Sequence, residues 1–458
     1  MTQSVSTILV LGASGDMASR LLIPALGQLL TKNPDRRLRL VGAGSDKLTA
    51  AAWKKIVRTS FASVKASGVG VTELLSTTQY FDADVTKSAQ MQRLIEQCEG
   101  TPALYFALPP AVTVLVCDAL AELTLPDGTA LALEKPFGVD EASAASLNAR
   151  LAKIVPENQI HRVDHFLGQS TVFNLLGLRF ANRIFEPLWN NDHVERVDIV
   201  YDEQLGLEDR ARYYDRAGAL VDMIQSHLLQ VLAVLTMEPP ASLMAADLRD
   251  AKGIVLRATR LWADNPRESS RRARYTAGSV AGKKLPSYVD EGGVDPGNDT
   301  ETLAEVTFAI DNWRWAGVPF TLRSGKALGE RRREIAITFK PVPHLPTGLL
   351  GLEEPTVLRI FLAPDEMSLE LNINGPGDPY VLGRVNLEAT FGEGQLLAYG
   401  EVLESLLDGD PSLSVRADTA EQCWHIVAPV LAAWRAENVP LDEYKAGTPG
   451  PTAWKPLG

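Results

Sequence analysis

The feature that most constrains this chain is a glycine turn set between two apolar segments of different period. Thr7–Leu11 (TILVL) is a short unbroken apolar run, the pattern of a parallel strand buried on both faces. Gly12-Ala13-Ser14-Gly15-Asp16 follows at once, and Met17, Leu21, Leu22, Ala25, Leu26 and Leu29 then fall on one side of a helix. Glycines between a strand and a helix let the backbone approach a pyrophosphate, and the helix N-terminus supplies N–H groups without intrahelical partners. The spacing lacks the middle glycine of GxGxxG, so a tight turn without a ligand stays open. Its place at the first strand, with strand–helix alternation behind it, favours a dinucleotide.

That alternation continues through Leu38–Val41, Leu104–Leu108 before Pro109-Pro110, and Ala130–Leu133 before Glu134-Lys135-Pro136. Strands alternating with helices imply right-handed crossovers and a doubly wound sheet. Residues 1–160 are therefore expected to form a dinucleotide-binding Rossmann domain. Beyond Gly138 the texture changes: residues 139–155 are Ala-rich and helical, and Ala217–Met237 reads as a second long helix. Val197–Tyr201, Glu305–Ile310 and Glu334–Phe339 alternate with period two, as antiparallel strands with one buried face do. Residues 161–458 thus read as an α+β domain with a large antiparallel sheet, and 264–300, rich in Arg, Gly, Asp and Pro, as a long loop. A length of 458 residues suits two or three domains.

Composition excludes several function classes. Hydrophobic residues at 45% and charged residues at 22% are globular values, not those of a disordered chain. With 45 Lys plus Arg against 57 Asp plus Glu, the net charge of −12 argues against a nucleic-acid partner. Any site for an anion must concentrate its cations locally. Cys98, Cys117 and Cys423 form no CxxC pair, so reduced thiols are expected rather than a zinc site or disulfides. The N-terminus lacks a basic segment before its apolar run, unlike a signal peptide. Ala217–Met237 contains Asp222, Gln225, His227 and Gln230 and reads as too polar to span a bilayer. The expectation is a cytoplasmic protein with no membrane partner.

Three groups are candidates for chemistry. Asp164-His165 and His227 put imidazoles beside acids, which suits proton removal from a hydroxyl when a carboxylate orients the base. A packed or capping histidine is the bland alternative. Metal ligation needs three or four convergent groups, and no such spacing is visible, so no metal is expected. Arg323-Ser324-Gly325-Lys326 and Arg331-Arg332-Arg333 form either a solvated face or an anion clamp.

The segments GASGDMASRLLIPAL, EKPFG, RVDHFLGQ, NLLGLRFANRIFEPLWN, RAGALVDMIQSHLLQ and RWAGVPFTLRSGKAL, in this order, resemble glucose-6-phosphate dehydrogenases over nearly the whole chain. The resemblance implies oxidation of the C1 hydroxyl of a hexose 6-phosphate to a lactone, with hydride passed to NAD or NADP, in a homo-oligomer (dimer or tetramer). It implies that His227 is the general base and Asp164 the carboxylate holding its ring. Gly12, Ser14, Gly15 and Asp16 fall on cofactor positions. Lys135 lies between cofactor and sugar, and Pro136 is expected to be cis. His165, Gln169, Glu203, Asp222, Lys326 and Arg331 fall on substrate positions.

The pattern departs from the family where the sugar phosphate is held. The family motif ends DHYLGK, whereas here Phe166 and Gln169 replace the tyrosine and lysine; Leu21 stands where a lysine is expected, and Ala363 where a glutamine is usual. Each lost charge-assisted hydrogen bond is worth about 1.5–3 kcal/mol. Either Arg331, Arg332 and Arg162 compensate, or the substrate is an unphosphorylated or differently substituted sugar. A non-catalytic nucleotide-binding paralogue is the remaining alternative, against which the retained His227, Asp164 and Lys135 stand. After Val41-Gly42-Ala43-Gly44 the chain continues Ser45-Asp46-Lys47, without the arginine that meets a 2′-phosphate. Ser45 and Asp46 are placed at the ribose, where an acid accepts from hydroxyls and repels a 2′-phosphate, so NAD is favoured over NADP, while Lys47 keeps the NADP reading open.

Overall fold

The computed structural model describes residues 4–454 apart from 352, 353, 376, 393 and 395. It divides into two compact units: one holds residues up to 169 with 240–253 and 394–424, the other 170–239, 254–393 and 425 onward. The single boundary expected at 160/161 gave each domain a continuous stretch; here two later segments join the first unit.

The first unit is built on a sheet of strands β1 (Thr7–Leu11), β2 (Arg39–Gly44), β3 (Gln79–Asp82), β4 (Pro102–Phe106), β5 (Ala130–Glu134) and β6 (Ile160–Val163). Their spatial order is β6-β5-β4-β1-β2-β3, all parallel, and Ser414–Val415 closes the β6 edge antiparallel. This is the doubly wound order in which the crossing point lies beside the first strand. β1 and β4 are buried along their whole length, which explains their unbroken apolar runs. The helix Ala398–Leu407 belongs to this core. Leu403, Leu406 and Leu407 are buried with Leu26, Leu29 and Leu30 of helix α1 (Ile23–Lys32), and Glu404 accepts from Lys32 (3.0 Å) and Asn33 (2.6 Å).

The second unit carries a mixed, mostly antiparallel sheet. Its strands lie in the order Leu382–Thr390, Glu366–Asn374, Val357–Phe361, Arg332–Phe339, β7 (Val194–Asp202), Phe320–Gly325, Leu303–Ile310, Ser270–Thr276 and Leu441–Lys445. Only β7 with Phe320–Gly325, and Ser270–Thr276 with Leu441–Lys445, run parallel on this path. The region expected to be a loop, 264–300, therefore contributes a strand. Its period was hidden because Arg271, Arg272 and Arg274 interrupt the apolar alternation, with Arg271 and Arg274 paired to Glu305 and Asp299 (3.7 Å for the latter).

Ala211–Thr236 is long and apolar enough to cross a membrane, contrary to the sequence expectation, yet 89% of its apolar window is buried inside the protein. Gly218 breaks it with φ 66° and ψ 177°, and Leu220–Leu228 then runs as π-helical turns. Such widened turns recur where a helix must aim side chains at a site.

Candidate functional site

In the first unit the candidate cofactor turn lies where β1 ends. Gly12 takes φ +83°, and its N–H and that of Ala13 donate to the Ala43 carbonyl at 2.8 and 3.0 Å. A Cβ at Gly12 would lie 2.3 Å from the carbonyl oxygen of Ala107, so only glycine fits. Gly15 N–H closes the turn on Gly12 O at 3.0 Å, and Gly15 itself is exposed. This is a backbone cradle of the kind a diphosphate requires, opening onto the helical segment that starts at Ala18. Asp16 instead pairs with Arg20 on the surface at 3.0 Å. Ser45, Asp46 and Lys47 are all exposed at the end of β2, and the Tyr80 hydroxyl pins their loop by donating to the Asp46 carbonyl at 2.9 Å.

The candidate sugar-side residues of this unit leave the same edge of the sheet. β5 and β6 are parallel neighbours with Glu134 opposite Val163, so Lys135 and Asp164 emerge side by side at the carboxyl ends, where ligands bind in open α/β sheets. The Lys135–Pro136 bond is cis, as the resemblance implied. Asp164 is buried, and its Oδ1 accepts from Phe166 N–H at 3.0 Å, capping the turn His165–Gly168. The His165 ring stacks on Tyr399 (centroids 5.1 Å apart, 13° between planes) and meets the Phe166 ring edge-on. Glu134 accepts from the hydroxyls of Tyr105 and Tyr399, the latter at 3.4 Å. Burial pushes its carboxyl up to about 7, against the lowering effect of these bonds and of Lys135. Lys252, fully buried, is lowered to about 8 by desolvation, partly opposed by the charge of Asp164.

Leu21 is exposed and Phe166 buried. Arg162 is fully buried, held by Glu157 (2.8 and 3.1 Å) and Asn148 (2.9 Å), so it cannot compensate for missing phosphate ligands.

In the second unit, burial raises the Tyr201 phenol above its ordinary value, and the charges of Arg333, Glu203, Arg331 and Asp222 act on it. Glu203 follows β7 and bridges two cations, Lys326 Nζ at 2.8 Å and Arg333 at 2.9 Å. Lys326 lies over the Tyr214 ring and Arg333 over the Tyr201 ring. Asp222 and His227 are both buried on the π-helical segment, and Asp222 accepts from the Tyr213 hydroxyl at 3.3 Å. The cation run, read as either a solvated face or an anion clamp, is mostly committed to neighbouring carboxylates. Arg323 binds both oxygens of Asp202 (3.2 and 3.1 Å), and Arg332 binds Glu334 (2.6 Å). Arg331 is exposed and has no ion pair among the described residues.

Sequence reasoning did not single out Tyr105, Glu134, Tyr201, Tyr214 or Tyr399. Glu134 lies in the EKPFG segment, whereas no motif contains the tyrosines.

The geometry agrees with what comparison to known proteins finds. The model of the glucose-6-phosphate dehydrogenase NAD binding domain matches residues 9–174, and that of the C-terminal domain of the same enzyme matches 176–457. The chain is 38% identical to the glucose-6-phosphate 1-dehydrogenase of Rhizobium meliloti over 97% of this chain and 94% of the relative. It is 40% identical to glucose-6-phosphate 1-dehydrogenase 2 of Mycobacterium tuberculosis over 79% of this chain and 74% of that one. The crystal structure of the Mycobacterium avium enzyme superposes with a TM-score of 0.86 at 34% identity, covering 98% of this chain and 96% of that one. A glucose-6-phosphate dehydrogenase in complex with glucose 6-phosphate superposes with a TM-score of 0.88 at 30% identity, covering 99% and 97%. This chain belongs to the glucose-6-phosphate dehydrogenase family.

Proposed function

We propose that this protein oxidises the C1 hydroxyl of glucose 6-phosphate to the lactone, using a nicotinamide dinucleotide and taking NAD at least as well as NADP. The observation that carries the reading is Glu203 bridging Lys326 at 2.8 Å and Arg333 at 2.9 Å, with Arg333 over the Tyr201 ring. Carboxylates that accept from sugar hydroxyls there lie beside cations suited to a phosphate.

The turn at Gly12 suits a dinucleotide because its positive φ and its close approach to the Ala107 carbonyl admit only glycine, setting a tight strand-to-helix turn at the carboxyl end of β1. Gly12, Ser14 and Gly15 would hold it, with Asp16 beside them, and Ser45 and Asp46 would accept from its ribose hydroxyls. When bound, the nicotinamide accepts hydride from C1. His227 removes the hydroxyl proton as C1 gains positive character, and Asp164 orients the ring and stabilises the imidazolium. Lys135 holds the sugar against the cofactor. His165 and Gln169 take the phosphate side with Lys326 and Arg331, and Glu203 and Asp222 accept from the hydroxyls.

A second reading, the same chemistry on an unphosphorylated sugar, draws on Phe166, Gln169 and Leu21 and on the commitment of Arg162 and Arg332 to internal acids. We further propose a homo-oligomer, supported by the exposed Leu387 on the edge strand Leu382–Thr390, and a reducing, cytoplasmic setting, supported by three free cysteines.

The test is His227→Asn. It should lower kcat by about 10²–10⁴ with little change in KM, the range for losing a positioned base. Near-normal turnover in this variant would remove His227 from the mechanism, and nucleotide binding without turnover of any sugar by the wild type would favour the non-catalytic alternative.

A further inference from the structure

We propose that Tyr399 is a positioning residue for the sugar site: its ring is the platform on which His165 is set, and its hydroxyl fixes that platform to Glu134. The proposal rests on the reading of His165 as a substrate residue and adds a side chain from a segment that sequence places more than two hundred residues away.

Three independent contacts support it. The His165 and Tyr399 rings are nearly coplanar in direction, 13° apart with centroids at 5.1 Å, an offset stack rather than a chance approach. Phe166 meets the same imidazole edge-on at 5.1 Å, so the ring is held on a face and at an edge. The backbone is fitted too: a Cβ at Gly168, which ends the His165–Gly168 turn, would lie 2.3 Å from the carbonyl oxygen of Ala398. The turn therefore sits directly on the first residues of the helix Ala398–Leu407, and Tyr399 is seated to the precision of a backbone contact.

The hydroxyl end is anchored as well. Tyr399 Oη donates to Glu134 Oε2 at 3.4 Å, while the other carboxyl oxygen takes the Tyr105 hydroxyl. Glu134 is the residue before Lys135, so one carboxyl ties the His165 platform to the loop assigned to both cofactor and sugar. A histidine on a half-exposed turn otherwise samples several staggered rotamers. Stacking and edge contact select one before substrate arrives, which lowers the ordering cost of binding.

The test compares Tyr399→Leu, which removes the stack, with Tyr399→Phe, which keeps it, in the full-length enzyme. Tyr399→Leu should raise KM for glucose 6-phosphate about three- to tenfold, with the cofactor KM unchanged, and Tyr399→Phe should raise it less. In a His165→Ala background Tyr399→Leu should add nothing. The imidazole signal of His165, identified in histidine-labelled protein by its loss in His165→Ala, should move in Tyr399→Leu and stay near its place in Tyr399→Phe. A KM penalty that persists without His165, or an unmoved His165 signal, overturns the positioning role. If His165→Ala itself leaves KM unchanged, the substrate reading of His165 fails, and a moved signal would then show the stack to be structural only.

Discussion

Replacing Gly218 with alanine should damage the helix that carries His227, and the damage can be divided into two physical parts. Gly218 sits at φ 66° and ψ 177°, a region that is nearly glycine-only and costs another residue about 1–3 kcal/mol. A Cβ there would also lie 2.2 Å from Oε1 of Glu301, the oxygen that accepts the Leu220 N–H at 2.9 Å and anchors the start of the π-helical segment. That carboxyl must swing away, leaving the buried Leu220 N–H without its acceptor at a cost of about 1–3 kcal/mol. The expected loss is roughly 2–6 kcal/mol, a large share of the roughly 5–15 kcal/mol that holds a folded domain. Denaturant unfolding followed by tryptophan fluorescence, with kcat measured in parallel, reads the effect. Glu301→Ala separates the parts: it forfeits the same bond but clears the space, so the double variant should be less damaged than the singles summed, by about 1–3 kcal/mol. A Gly218→Ala protein within about 0.5 kcal/mol of wild type would refute the backbone argument. Strict additivity would show that Glu301 is not the obstacle.

Two further outcomes follow from the same geometry. Burial raises the Glu301 carboxyl from 4.5 to about 7, so the folded protein binds an extra proton between these values. Its contribution to stability is full below pH 4.5 and falls as pH rises through about 7, by up to roughly 3 kcal/mol; Glu301→Gln should flatten that slope in pH-dependent unfolding, and an unchanged slope would count against it. Asp46 and the absence of an arginine after β2 predict kcat/KM with NAD at least equal to that with NADP. A strong NADP preference would instead assign Lys47 to a 2′-phosphate.

What could be seen in the sequence was what burial on both faces writes plainly. β1 and the Gly12 turn were legible because one is wholly apolar and the other needs a positive φ. β6 was not, because IHRV reads as polar. His161 is nevertheless buried, facing the Ser414 hydroxyl at 3.2 Å and lowered to about 3 by desolvation, and Arg162 is matched by Glu157 and Asn148. The strand Ser270–Thr276 was hidden in the same way by arginines whose acids, Glu305 and Asp299, come from later in the chain. The resemblance located most candidate site residues, while composition alone left Arg323–Arg333 as either a solvated face or an anion clamp. Only the pairings show that Arg323 and Arg332 serve Asp202 and Glu334 and that Arg331 faces outward. Tyr399 was illegible for a topological reason: nothing local says that 394–424 returns to the first unit.

The central claim is tested most directly by kcat/KM of the purified protein for glucose 6-phosphate and for glucose, each with NAD and with NADP, followed by nicotinamide absorbance. The account predicts a preference for glucose 6-phosphate of about a hundredfold or more, the worth of one or two charge-assisted hydrogen bonds to the phosphate. Equal or better turnover of glucose, with glucose 6-phosphate activity gained in Gln169→Lys, would contradict it and show that the pocket around Phe166 and Gln169 serves a sugar without the phosphate.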